Sequence, residues 1–164
     1  MQERVEDIRQ EIMASLDEKA DTLFRFVMLY HDFAMEKKDY GTGEFVSMVE
    51  AHILLRIANR PGITVSELAE EANRTKSAIS QTVKKLEGMG YTYRKYSETD
   101  GRVVQLYPTD RGLELNRAHG AYDSIEVTET FEELLKHCSD RDLDSFFRVV
   151  NAYLTIFAEE DDSI

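Results

Sequence analysis

Between Lys76 and Tyr107 the spacing of apolar residues changes period once, and that change constrains the fold more than any other feature. In "KSAISQTVKKLEGMG", Ile79, Val83 and Leu86 recur at helical intervals and define one buried stripe. Gly88 or Gly90 stops the helix. "YTYRKYS" then alternates and is rich in Tyr and Thr, "ETDGR" carries an Asp-Gly turn signal, and "VVQLY" returns as a second strand. Upstream, "TVSELAEEAN" opens with Thr64 and Glu67 at capping-box spacing and turns Leu68 and Ala69 inward. "NRT" makes a brief connection between the two helices. Two short helices joined by a tight turn, followed by a two-stranded hairpin, form a helix-turn-helix with a wing.

The same stretch gathers positive charge. From Arg74 to Arg102 there are seven basic and three acidic residues, a net of +4. The whole chain carries −12, so the remainder carries −16. The third helix has Glu67, Glu70 and Glu71 on its solvent side, yet the fourth presents Lys76, Ser77, Ser80, Gln81 and Lys84 opposite its apolar stripe. Gln can bond adenine through both its amide oxygen and its amide NH2, Ser can reach a base or a phosphate, and Lys neutralises phosphate. The hairpin adds Arg94, Lys95 and Arg102, and an arginine at a hairpin tip suits a narrow minor groove. Arg74, Lys76, Ser77, Ser80, Gln81, Lys84, Arg94, Asp100 and Arg102 are the candidate DNA-binding residues. The acidic remainder is compatible with this, because salt screens charges beyond about 8–10 Å.

The flanks read as helix. Residues from about Val5 to Ala34 lack Gly and Pro, and Leu23, Phe26, Val27, Tyr30 and Phe33 share one face. "KKDYGTGE" breaks the chain. A second helix over Glu44–Asn59 carries Phe45, Met48, Val49, His52, Ile53 and Ile57 along one side and stops at "NRPG". Pro108 ends the second wing strand, and Thr109 caps a long helix towards Leu135, interrupted at Gly120. Ser139 and Asp142 open a last helix whose apolar stripe runs from Leu143 to Phe157, and the tail "AEEDDSI" is expected to fray. Apolar stripes at both chain ends call for a second copy across a two-fold axis. The fold class is therefore mainly α with a small β-hairpin wing. Residues 44–108 form the winged-helix lobe of a single domain, and 1–43 and 109–164 form a helical dimerisation region.

Several classes are disfavoured. No apolar run approaches the roughly 20 residues of a membrane span, and the charged N-terminus is unlike a secretory signal. Cys138, the single cysteine, suits a reducing cytoplasm. No nucleophile elbow, phosphate loop, dinucleotide fingerprint or zinc-protease motif is present, so an enzyme is not expected. A winged helix used for protein contacts is the remaining rival.

Over about residues 20–160 the chain resembles the MarR family of winged-helix transcriptional regulators. The resemblance is most specific in "ITVSELAEEANRTKSAISQTVKKLEGMGYTYRKYSETDGRVVQLYPTDRG". Asp100, Arg102, Leu106, Thr109 and Gly112 match the wing pattern of that family, and Pro108 stands where it usually has leucine. The resemblance implies a homodimer, recognition helices in adjacent major grooves, wings on the minor groove, and repression relieved by a small effector. It implies that Asp100 orients Arg102 by a salt bridge, and that residues 1–16 extend beyond the usual start and add to the dimer interface. It further implies an effector site lined by Tyr30, Phe33, Phe45 and Met48. Under the family topology His52 and His119 approach each other. Asp123 lies one turn beyond His119, a spacing suited to a shared divalent metal, with His31, Asp32 or Glu36 as further donors.

Overall fold

The computed structural model describes the backbone of residues 2–161 and the side chains of residues 13 and 15–157. In chain order the elements are α1 (Gln2–Met35), β1 (Lys37–Asp39), β2 (Phe45–Ser47), α2 (Met48–Asn59), α3 (Val65–Glu71), α4 (Lys76–Gly88), β3 (Thr92–Tyr96), β4 (Val104–Pro108), α5 (Asp110–Leu134) and α6 (Asp140–Asp161). The chain forms two compact units, residues 1–119 and 120–164, and the division falls inside α5. Residues 162–164, the end of the tail expected to fray, lie outside the described residues, as do the side chains of 1–12 and 14.

Helix-stop chemistry shapes the first unit. At the end of α3, Asn73 takes φ 49°, its N–H bonds to the Glu70 carbonyl, and Arg74 N–H bonds to the Ala69 carbonyl. At the end of α4, Gly90 takes φ 76°, with Gly90 N–H on Glu87 and Tyr91 N–H on Leu86. Both ends are Schellman motifs, closed by residues that tolerate left-handed backbone. Gly90, not Gly88, is thus the stop of α4. Thr64 and Thr75 cap α3 and α4, and Thr64 forms the reciprocal capping box with Glu67.

The wing pairs Thr92 with Pro108 through Tyr96 with Val104, antiparallel, and Ile63 adds a bridge to Leu106 on the outer side. Pro108 closes the strand, where its missing N–H costs least. Leu54, Ile57, Ile63, Leu68, Ile79, Val83, Leu86, Tyr91, Leu106 and Leu115 are buried together as the core of this unit.

Three expectations change. "KKDYGTGE" is not a simple break: β1 and β2 form a short hairpin, and Asp39 Oδ1 accepts from the N–H groups of Gly41, Thr42 and Gly43. The second helix starts at Met48, not Glu44, because Ser47 caps it in a reciprocal box with Glu50. Phe45 therefore leaves the helical stripe, sits on β2 and is 60% exposed. Gly120 does not interrupt α5, which runs unbroken to Leu134; a lone helical glycine costs only about 1 kcal/mol.

In the second unit, the Phe131 and Phe147 rings stack with centroids 5.9 Å apart. Ser139 and Asp142 make the expected reciprocal cap of α6. Large apolar side chains remain exposed on α1, such as Phe24 and Leu29, and on α6, such as Leu154 and Phe157. No helix among the described residues is long and apolar enough to cross a membrane.

Gly112 and Gly120 give opposed predictions. A Cβ at Gly112 would lie 2.1 Å from the Tyr91 carbonyl oxygen, whereas one at Gly120 would meet nothing within 4 Å. Gly112→Ala should destabilise by about 1–3 kcal/mol through forced backbone movement. Gly120→Ala should stabilise by up to about 1 kcal/mol. Urea unfolding followed by circular dichroism checks both; equal midpoints for the two variants would contradict the close approach at Gly112.

Candidate nucleic-acid interface

Burial decides which side of α4 can meet a ligand. Ile79, Val83 and Leu86 point inward, which leaves Lys76, Ser77, Gln81 and Lys84 exposed, while Ser80 is half-buried. The Thr75 hydroxyl accepts from Ala78 N–H at 3.2 Å and fixes the first turn of α4. The exposed side is thus amide, hydroxyl and ammonium, with no acidic residue in the first turn.

The seven cations of the basic stretch divide into two groups. Lys85 is paired with Glu50, Arg94 Nε lies 2.9 and 3.1 Å from the two Glu87 carboxylate oxygens, and Lys95 is 2.7 Å from Glu98. The hydrogen bond to Glu50 holds the Lys85 ammonium above its usual pKa, and the one to Glu98 does the same for Lys95. Arg74, Lys76, Lys84 and Arg102 take part in no ion pair among the described residues, so their charge faces outward uncompensated. Arg94, expected as a DNA contact, also ties the wing to the last turn of α4 through Glu87.

The wing turn differs in its chemistry from the expectation. Asp100 Oδ1 accepts from the backbone N–H of Arg102 at 3.0 Å, and no Asp100–Arg102 ion pair occurs among the described residues. An aspartate two residues before an N–H closes this local ring readily, whereas a guanidinium bond would need the long arginine side chain to fold back. Asp100 therefore shapes the backbone of the turn, and Ser97 supports it by accepting from Thr99 and Asp100 N–H.

A second joint holds the start of the wing. Glu44 pairs with Arg111 and accepts from the Tyr91 hydroxyl at 3.1 Å, while Arg111 donates to the Met89 carbonyl at 3.0 Å. Burial pushes the Tyr91 hydroxyl pKa upward, so the phenol stays protonated as the donor. Sequence reading missed Glu44, Glu50, Lys85 and Arg111 as positioning residues. The spacing Ser47-x-x-Glu50 was a capping signal for the first of these joints, but nothing local marks its partner 35 residues away.

Beside α4 runs an open groove of about 470 Å³, walled by α1, α2 and α4. Tyr30 and Met48 line it, together with Arg56, Arg74 and Gln81; Phe33 and Phe45 do not. Phe33 instead lies under the Lys38 ammonium, 3.8 Å from its ring centre. His52 and His119 stand edge to face with ring centres 5.2 Å apart, and His119 is buried against Tyr40 as well. Asp123 follows His119 by one turn of the same helix, and each of the pairs His52–His119 and His119–Asp123 brings ligand atoms within 4.8 Å. His31 and Asp32 form their own exposed contact at 3.5 Å, and neither they nor Glu36 join this group.

Residues 46–104 match the model of the MarR family. The chain is 29% identical over 84 residues to the uncharacterized HTH-type transcriptional regulator YhjH of Bacillus subtilis; the match spans 51% of this chain and 48%, about half, of that relative. It is 25% identical over 146 residues to the transcriptional regulator ZitR of Lactococcus lactis, across 86% of this chain and 97% of that one. Among solved structures, Streptococcus pneumoniae FabT in complex with DNA superposes with a TM-score of 0.62 at 22% identity, covering 88% of this chain and 96% of that one. ZitR, described as a zinc-responsive MarR family member, superposes with a TM-score of 0.60 at 19% identity, covering 88% and 98%. The MarR family model thus matches most of the winged-helix lobe, and the fold is similar to those of FabT and ZitR along most of the chain.

Proposed function

We infer that this chain is a homodimeric, sequence-specific double-stranded DNA-binding regulator, acting as a repressor on a near-palindromic operator. One observation carries the reading. In a chain of net charge −12, the exposed side of α4 and the wing tip present Arg74, Lys76, Lys84 and Arg102 without ion-pair partners among the described residues, around the amide of Gln81. Phosphate contacts would come from the cations and base readout from Gln81 and Ser77. Uncovered apolar side chains on α1 and on α6 support a second copy as partner, built from the helices that flank the lobe. Two such lobes would read half-sites about 34–36 Å apart. A small effector in the groove beside α4 would touch Arg74 and Gln81 directly, which supports control of DNA binding through that groove.

The test separates readout from anchoring. Gln81→Ala should cost about 1–3 kcal/mol on an operator selected from a random library and relax preference at one or two base pairs. Lys84→Ala should weaken all duplexes alike and lower the salt slope by about one. Arg102→Ala should lose most on operators with narrow, A·T-rich flanks. A selected site without dyad symmetry, or equal effects of Gln81→Ala and Lys84→Ala on operator and random DNA, would sink the reading.

A metal-responsive regulator is the second reading, favoured by the edge-to-face His52–His119 pair with Asp123 one turn on. Two imidazoles and a carboxylate suit Zn²⁺, and ZitR supports the idea by its zinc response. Calorimetric titration of zinc into the dialysed protein should show tight binding, weakened about 10–100-fold by His52→Gln or Asp123→Asn. Equal zinc affinity in wild type and both variants would remove this reading.

A further inference from the structure

Lys84 and Lys85 are neighbours in α4, and both belong to its basic stretch, although only Lys84 is a candidate DNA contact by sequence. The structure separates them. Lys84 is exposed and without an acidic partner among the described residues. Lys85 turns towards α2, where its ammonium meets Glu50 Oε1. The Glu50 side chain is only 8% exposed, and its other oxygen accepts from Ser47 N–H at 2.9 Å. One nearly buried carboxylate therefore caps the start of α2 and holds the last turn of α4. A charge in such a place is costly unless both oxygens are satisfied, so the Glu50 carboxylate is held at both, while the Lys85 side chain remains 45% exposed.

The position of this tether matters for recognition. Gln81 precedes Lys85 by four residues and so lies on the same side of the helix, one turn away. The apolar stripe of Ile79, Val83 and Leu86 keeps α4 against the core, and the Glu50–Lys85 contact adds a directional hold on one side of its last turn. At the other end of α4 the Thr75 hydroxyl caps the first turn and Ile79 is buried in the core. We propose that the Glu50–Lys85 pair is the positioning element that sets the rotation of α4 about its own axis, and with it the aim of Gln81 and Lys84 at DNA. The pair acts through these side chains and does not itself touch the duplex. Because α2 begins directly after the β1–β2 hairpin, that hairpin and the recognition helix share this one carboxylate.

The proposal rests on the DNA-binding reading, and the experiment keeps the two apart. Wild type, Lys85→Met, Lys85→Arg, Glu50→Gln, Lys84→Ala and the double variant Lys85→Met/Glu50→Gln are titrated against the selected operator and a random duplex, at several salt concentrations, with melting followed in parallel. If wild type binds no duplex, the DNA-binding reading fails before any variant is compared. If it binds, Lys85→Met should lose about tenfold on the operator, the effect of one charge-assisted hydrogen bond, while keeping the wild-type salt slope. Lys84→Ala should lower that slope by about one. Lys85→Arg should bind close to wild type. Glu50→Gln keeps a capping oxygen for Ser47 and should lose as much as Lys85→Met, although it removes a negative charge from a protein that binds a polyanion. The double variant should be no worse than either single one. The proposal is overturned if Lys85→Met lowers the salt slope by about one and weakens random DNA equally, which marks a phosphate contact. Unchanged or tighter operator binding by Glu50→Gln overturns it as well. Should Glu50→Gln melt below the working temperature, the contrast of Lys85→Met with Lys85→Arg decides.

Discussion

The burial of Ile79, Val83 and Leu86 is the contact on which the rest of the molecule depends. It presses α4 onto α2 and α3, so the opposite side of the helix has no choice but solvent or a ligand. The two Schellman ends around α4 are its local complement. Asn73 and Gly90 turn the chain sharply enough that α3 and the wing meet the same core. Gly112 completes the arrangement by letting α5 approach the Tyr91 carbonyl, where any side chain would collide.

Charge is organised around that packing. Carboxylates of the acidic chain are spent on fastening: Glu50 holds Lys85, Glu87 holds Arg94, and Glu44 holds Arg111. Each fastening removes one cation from the pool that can meet phosphate. What remains outward is a smaller and better-defined set, grouped on the exposed side of α4, at its start and at the wing tip. For a protein of net −12 this division leaves few outward cations and puts weight on the geometry of each.

The histidines and the groove belong to a different layer of the fold. His52 on α2 and His119 on α5 are 67 positions apart in the chain, yet their rings touch because both helices contribute to the same unit. Tyr30 and Met48 reach the groove because α1 and α2 wall it, whereas Phe45 precedes the Ser47 cap and lies on β2. A reading that extended α2 by four residues was enough to misplace it.

The amino-acid sequence by itself determined the local elements of the reading lobe. Period, caps and turn residues act within a few positions, so the Thr64–Glu67 box, the stripe of α4, the alternating wing and the Asp-Gly turn were all legible. So was the exposed side of α4, since opposite sides of a helix follow from spacing alone. Only the tertiary structure decided which charges are free. Lys84 and Lys85 are chemically identical neighbours, and Arg94 and Arg102 share one hairpin. Their difference lies in whether a carboxylate distant in the chain, or one hidden by packing, arrives beside them. Ion pairs form across space and carry no period along the chain, and that is why the sorting of this basic stretch appears only once α2, α4 and the wing are in place.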